Sequence, residues 1–386
     1  MRSRSALVRG LLVLCLSLAF LFPLAAEGQS TTSENPNKGL TAEAAQDLRD
    51  TGVDKYLGQF SPAVSEDVGG GWTKHTFDPD YGPNGPNGPV CIVGTTYTAF
   101  TRAGNPAKVL IFLNGGGACW QCFPNCSPTA SENPPPATGI FADSFDTGTE
   151  VISNGFADWS VVFLSYCDGS IFSGDNDVVD TSFPNDVRFH RGLRNASAGI
   201  DLARATFPNA SRILLAGSSA GGAGVAVFAP FLVRFNYGNL VKLFVFNDAG
   251  PIATNLDTAA ASMARANDWQ FGQFYPDSCV DCDPLGDAIP LIEWRLDNDR
   301  TVREAFYSTD GDSTDRFFVS ANIPGSPPFL PPPFGLSQVQ YRELILERHR
   351  LLHEAHPERY TRFIRSGSDA HTALRADRYY LGEING

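Results

Sequence analysis

The chain has 386 residues, of which 42% are hydrophobic and 18% charged; this excludes a wholly disordered polymer and suffices for one sizeable core. Its formal net charge of -13 leaves no electrostatic footprint for nucleic acid. The same charge would repel a polyanionic substrate unless that polymer is esterified or meets a local basic patch.

Arg2, Arg4 and Arg9 precede the apolar run 11–22, and Ala25 and Ala26 follow it. This is the layout of a cleavable signal peptide over residues 1–28, which predicts a secreted or periplasmic protein. The run is shorter than the ~20 residues a spanning helix needs, so no stable membrane insertion is expected after cleavage. Residues 29–48 read as a polar lead-in, and residues 49–386 as a single domain. Beyond Cys15, in the signal, stand Cys91, Cys119, Cys122, Cys126, Cys167, Cys279 and Cys282, an odd set that leaves one thiol over. Export favours disulfides over zinc at the two C-x-x-C spacings, and no His pair completes a metal motif.

Continuous apolar runs bounded by turn residues predict buried parallel strands at 108–113 (KVLIFL), 159–166 (WSVVFLSY), 212–216 (RILLA) and 241–247 (VKLFVFN). Residues 289–296 (IPLIEWRL) read as a fifth strand and 360–365 as a sixth. Helices are predicted over 189–206, 221–235 and the amphipathic 338–355. Alternating strands and helices imply an α/β fold with a mostly parallel central sheet and helices on both faces. The Pro-, Ser- and Gly-rich stretches 125–149 and 324–333 read as loop insertions around a site.

Between the third strand and its helix lies Gly217-Ser218-Ser219-Ala220-Gly221-Gly222. It fits G-x-S-x-G in the strand–turn–helix context that motif requires, with Ser219 as the nucleophile. Small neighbours let strand and helix pass closely, and the helix N-terminus faces the developing negative charge. Upstream, Asn114-Gly115-Gly116-Gly117 ends the first strand; the N–H groups of Gly116 and Gly117, with that of Ala220, form a candidate oxyanion hole. The order of such sites places the acid and then the base after the serine. Among His349, His353, His356 and His371, the first two fit a solvated helix face and His356 a helix end. His371, in the loop Gly367-Ser368-Asp369-Ala370-His371, is the candidate base. For the acid, Asp297 and Asp299 follow the fifth predicted strand, and Asp248 ends the fourth.

Several separated segments resemble the pectin acetylesterase family, which includes the Notum carboxylesterases. They are Cys91-Ile92-Val93-Gly94-Thr95, residues 113–119 (LNGGGAC), 166–175 (YCDGSIFSGD), Phe189-His190-Arg191-Gly192 and the GSSAGG elbow. The resemblance implies an α/β-hydrolase-like carboxylic-ester hydrolase without cofactor or metal. Its substrate would be an acetylated polysaccharide, with a fatty-acyl ester or a non-catalytic saccharide-binding role as alternatives. Laid on Pro290-Leu291-Ile292, the family's strand ending on the triad acid lands on Asp299, with Asp297 as the alternative. Cys91 and Cys167 occupy segments that resemble a bridged pair; Cys279–Cys282 is expected as a local bridge and Cys119–Cys126 as a third, leaving Cys122. Asn114 and Ala118 depart from the family's Glu and Trp, positions that shape the acyl pocket.

Overall fold

A computed structural model describes residues 39–79, 87–121, 123–250, 260–283, 285, 287–320 and 336–381. Its main sheet is built from β1 (Val64–Gly69), β2 (Trp72–Phe77), β3 (Tyr97–Arg102), β4 (Asn105–Leu113) and β5 (Trp159–Leu164), then β6 (Arg212–Ser218), β7 (Lys242–Asp248), β8 (Arg303–Thr309) and β9 (Tyr360–Arg365). Their spatial order is β1-β2-β3-β5-β4-β6-β7-β8-β9. From β5 to β9 every pairing is parallel, and β1 to β3 add an antiparallel meander at one edge. This is the expected α/β-hydrolase-like class.

The apolar runs form the centre because both of their faces are covered. Val109, Ile111 and Leu113 of β4 pack into one core with helices α2 (Gly192–Thr206), α3 (Ala220–Ala226) and α4 (Ala229–Tyr237). Leu110 and Phe112 point the other way, where Phe112 stacks on Phe163 at 6.0 Å and meets Phe141 edge-on at 4.9 Å. Burying each such side chain contributes about 1.5–3 kcal/mol. All six parallel strands end on one side, and the site is built over those ends.

Four local expectations are corrected. Residues 289–296 are not a strand but part of helix α6 (Ile289–Asn298), which follows α5 (Ala260–Trp269). Pro290 sits in its first turn, where proline costs no hydrogen bond, and Ile289, Ile292 and Leu296 bury at helical spacing. The fifth strand is β8, further on. The helix expected over 221–235 is two helices, α3 and α4, and Phe189 belongs to the hairpin strand Val187–His190 before α2. Helix α1 (Ala42–Asp50), capped by Thr41 and buried through Ala44 and Leu48, begins within the stretch 29–48 read as a lead-in. Helix α8 (Gln338–Ala355) matches its expected bounds and opens on a Ser337–Gln340 capping box. Disulfides join Cys91–Cys167, Cys119–Cys126 and Cys279–Cys282, as expected. The signal segment 1–28, Cys122 and the stretch 324–333 lie outside the described residues.

Candidate active site

Ser219 stands between β6 and α3 with φ 57° and ψ -122°. A non-glycine residue held there stores roughly 1–3 kcal/mol of strain, which the surroundings must over-determine. They do so by close approach: a side chain on Gly221 would run into the Leu113 carbonyl, and one on Gly217 into Gly221. The Ser219 N–H is fixed on the Asp248 carbonyl at 2.8 Å. On the other side, a Cβ on Gly115 would lie 2.9 Å from the Ser219 Cβ, so the glycine turn passes directly over the serine. Gly117, at φ +79°, requires the left-handed region that glycine adopts freely.

His371 is brought in by the loop after β9. Its Nδ1 lies 2.8 and 3.1 Å from the two carboxylate oxygens of Asp312, and 3.7 Å from Asp315 Oδ1. Nε2 is buried and has no hydrogen-bond partner in the protein, leaving it open for proton exchange. Asp312 follows β8 and caps helix α7 (Ser313–Ser320), its Oδ1 accepting from the N–H groups of Thr314 and Asp315. Asp315 Oδ2 accepts from the Tyr341 hydroxyl at 2.9 Å. Burial, then the charge of Asp312, push the Asp315 carboxyl well above the usual range despite His371. Burial works against a charge on His371. The Asp312 hydrogen bond, with the charges of Asp315, Asp312 and Asp248, outweighs it and raises the imidazole to about 9. Asp312, Asp315 and His371 are also the described residues whose donor atoms, within 4.8 Å of one another, could gather a cation.

The expected partner of His371, Asp299, is elsewhere. It ends α6, fully buried, with its carboxylate on Arg234 at 2.5 and 3.1 Å and on the N–H groups of Thr301 and Val302. The displacement follows from α6 being a helix: counting from Pro290 reaches a helix end, not the end of a strand. Asp297 is exposed and meets His356 at 3.4 Å. His349 is buried rather than solvated, stacked on Phe306 and 2.6 Å from the Tyr360 hydroxyl, and burial lowers it to about 3. His353 bonds the Tyr360 carbonyl. Asp312 was missed, although Ala305 to Asp312 offers a short strand followed by an acid-rich turn.

Ser219, Gly116 and Gly117 line one cleft of about 820 Å³, together with Asn125, Ser127, Ser313, Thr314, Phe317 and Phe318. Ala220, the first residue of α3, follows the serine directly. Asn114 reaches Arg375 at 2.8 Å. The strained elbow at Ser219, the glycine turn above it and the His371–Asp312 pair on the loops after β9 and β8 fit the α/β-hydrolase-like class of fold.

A family model described as Pectinacetylesterase matches residues 84–274. The chain is 29% identical over 186 residues to pectin acetylesterase 11 of Arabidopsis thaliana, covering 46% of each protein. It is 33% identical over 145 residues to palmitoleoyl-protein carboxylesterase notum1a of Danio rerio, covering 35% of this chain and 28% of that one. The matches thus span less than half the length of these curated relatives. The crystal structure of the Wnt deacylase Notum from Drosophila shares the fold, with a TM-score of 0.52 at 17% identity over 77% of this chain and 86% of that one. The chain belongs to the pectin acetylesterase family.

Proposed function

We propose that the chain is an exported serine carboxylic-ester hydrolase that removes acetyl groups from a polysaccharide. The observations that carry this reading are the His371–Asp312 pair with Nε2 unpaired, on the loops after β9 and β8, and Ser219 in the elbow conformation at the end of β6. Ser219 Oγ attacks the ester carbonyl and its proton passes to His371 Nε2. Asp312 holds the Nδ1 proton and stabilises the imidazolium. The N–H groups of Gly116, Gly117 and Ala220 receive the oxyanion, each such donor contributing about 2.7–4 kcal/mol. Collapse expels the alcohol, which takes the proton from His371. Water, deprotonated by the same imidazole, then releases the acid and restores Ser219. The pectin acetylesterase activity named for the plant relative supports acetyl as the acyl group, and Asn125, Ser127, Ser313 and Thr314 among the cleft residues can hydrogen-bond a hydroxyl-rich substrate. Three disulfides fit an oxidising compartment, and among the described residues no helix is long and apolar enough to cross a membrane.

Phe317 and Phe318 on the cleft wall favour a second reading, hydrolysis of a long acyl ester as named for the Notum relatives. An acyl-chain series of p-nitrophenyl esters, run beside acetylated pectin and xylan, separates them. The first reading expects the highest kcat/KM with acetate and acetate release from a polymer. A preference for long chains moves the assignment to the second, and no hydrolysis of any ester by folded protein sinks both.

A further inference from the structure

We propose that Asp248 is a positioning residue for the Ser219–His371 chemistry, one buried carboxylate that locks the nucleophile turn and the histidine loop into a single register. The proposal rests on the hydrolase reading above. Asp248 is the last residue of β7, paired in register with Ser218 on one side and Tyr307 on the other. Its main-chain oxygen accepts from the Ser219 N–H at 2.8 Å. Its Oδ2 accepts from Ser218 Oγ at 2.5 Å and from the Leu374 N–H at 3.0 Å, and its Oδ1 from the Ala373 N–H at 2.7 Å. One fully buried residue therefore bonds the residue before the nucleophile, the nucleophile itself, and the second and third residues after the base.

The histidine loop needs such an anchor. From His371 on Asp312, at the end of β8, the chain runs over Asp248 at the end of β7. It then reaches Asn114, after β4, through Arg375. Between the first two anchors Thr372 sits at φ 59°. A β-branched residue rarely adopts that conformation and leaves it when its flanks are released. The reversal at Thr372 lets His371 face Asp312 while the next two N–H groups face Asp248. Without the carboxylate the loop relaxes at Thr372, and the imidazole loses its register with Ser219. Asp248 is itself held firmly: Ala249, at φ 53°, bonds the Tyr307 carbonyl, and the Asn247 side chain closes the following turn on Gly250. Asp248 was a candidate for the triad acid; its three donors are an elbow hydroxyl and two loop amides, and none is a histidine nitrogen.

The test is Asp248→Asn in the full chain, with p-nitrophenyl acetate kinetics and hydrogen exchange of the peptide spanning 368–376. An amide side chain offers one acceptor where two are used, so at least one loop N–H loses its partner. The expected result is a 10- to 100-fold lower kcat, KM within about threefold, and at least tenfold faster exchange in that peptide, with the thermal transition retained. A kcat within twofold of the parent with unchanged exchange overturns the proposal, as does an effect confined to KM. If the variant does not fold, amide-resolved exchange on the parent protein decides. Ala373 and Leu374 are then expected to exchange slowly although they lie in a loop, and exchange at the rate of free loop amides overturns the idea. Ser219→Ala, run in parallel, isolates the reading on which this rests. Turnover that survives in Ser219→Ala refutes the hydrolase mechanism, while the exchange data still judge the anchor.

Discussion

Replacing Asp312 with asparagine separates the two tasks of one side chain. As the cap of α7, Oδ1 accepts from Thr314 at 3.0 Å and Asp315 at 2.9 Å. Asparagine caps helices about as well as aspartate, so the change in stability is expected to stay within ~1 kcal/mol. As the partner of His371, the carboxylate holds the Nδ1 proton from 2.8 Å. The amide of asparagine, with its oxygen kept on the cap, turns its NH₂ to Nδ1. The ring then shifts to the tautomer with the proton on Nε2, which cannot take the Ser219 proton. A wrong tautomer of this kind costs about 10⁴-fold in kcat. The same substitution removes the hydrogen bond and a charge that help to raise the imidazole toward about 9. The rising limb of the parent's kcat/KM profile is therefore expected toward the raised value of about 9, and lower in the variant. The assay is p-nitrophenyl acetate hydrolysis from pH 5 to 10, with a thermal melt on each sample. A folded Asp312→Asn protein within tenfold of the parent at every pH would refute the reasoning and pass the role to Asp315.

Asp299→Asn is expected to leave turnover of the folded protein within threefold but to cost about 3–5 kcal/mol in urea unfolding, because it strands the buried Arg234 charge. Ser218→Ala removes only a hydroxyl from Asp248 and is expected to keep turnover within about tenfold, read by the same ester assay. Cys91→Ser with Cys167→Ser opens a bridge between residues 76 apart and is expected to cost about 2–5 kcal/mol, measured by denaturant unfolding. The raised pKa of His371 stabilises the fold fully below about 6.5 and loses that effect as pH rises through the folded value near 9. The melting temperature of Asp312→Asn relative to the parent should accordingly rise over that window.

What was legible in the sequence was whatever both faces of the sheet bury. Val109 to Leu113, Val161 to Leu164 and Ile213 to Ala216 read as strands because nothing polar interrupts them. Strand β8 was hidden by Glu304, which is buried but satisfied by Arg295 at 2.6 Å; the charge made an interior strand look solvated. Its partner helix α6 erred the other way. Leu291 and Ile292 are both buried, so the short run lacked a polar face to mark its helical period. The acid was misassigned for the same reason, since its position depended on which of these segments was the strand. Asp310, Asp312 and Asp315 resemble a surface charge cluster, and only the fold buries all three. Ser219 and its glycines were legible because backbone close approach is written directly in residue size. The His371 loop stood out because the other three histidines after Ser219 lie on or beside α8.

The nucleophile role proposed for Ser219 is open to chemical labelling. Its most direct test is intact mass and peptide mapping after treatment with a fluorophosphonate probe. The expected result is one covalent adduct on Ser219, absent from Ser219→Ala, with ester hydrolysis lost in both the labelled protein and that variant. An adduct mapped to another residue, or a Ser219→Ala protein that still turns over acetyl ester at the parent rate, would contradict it.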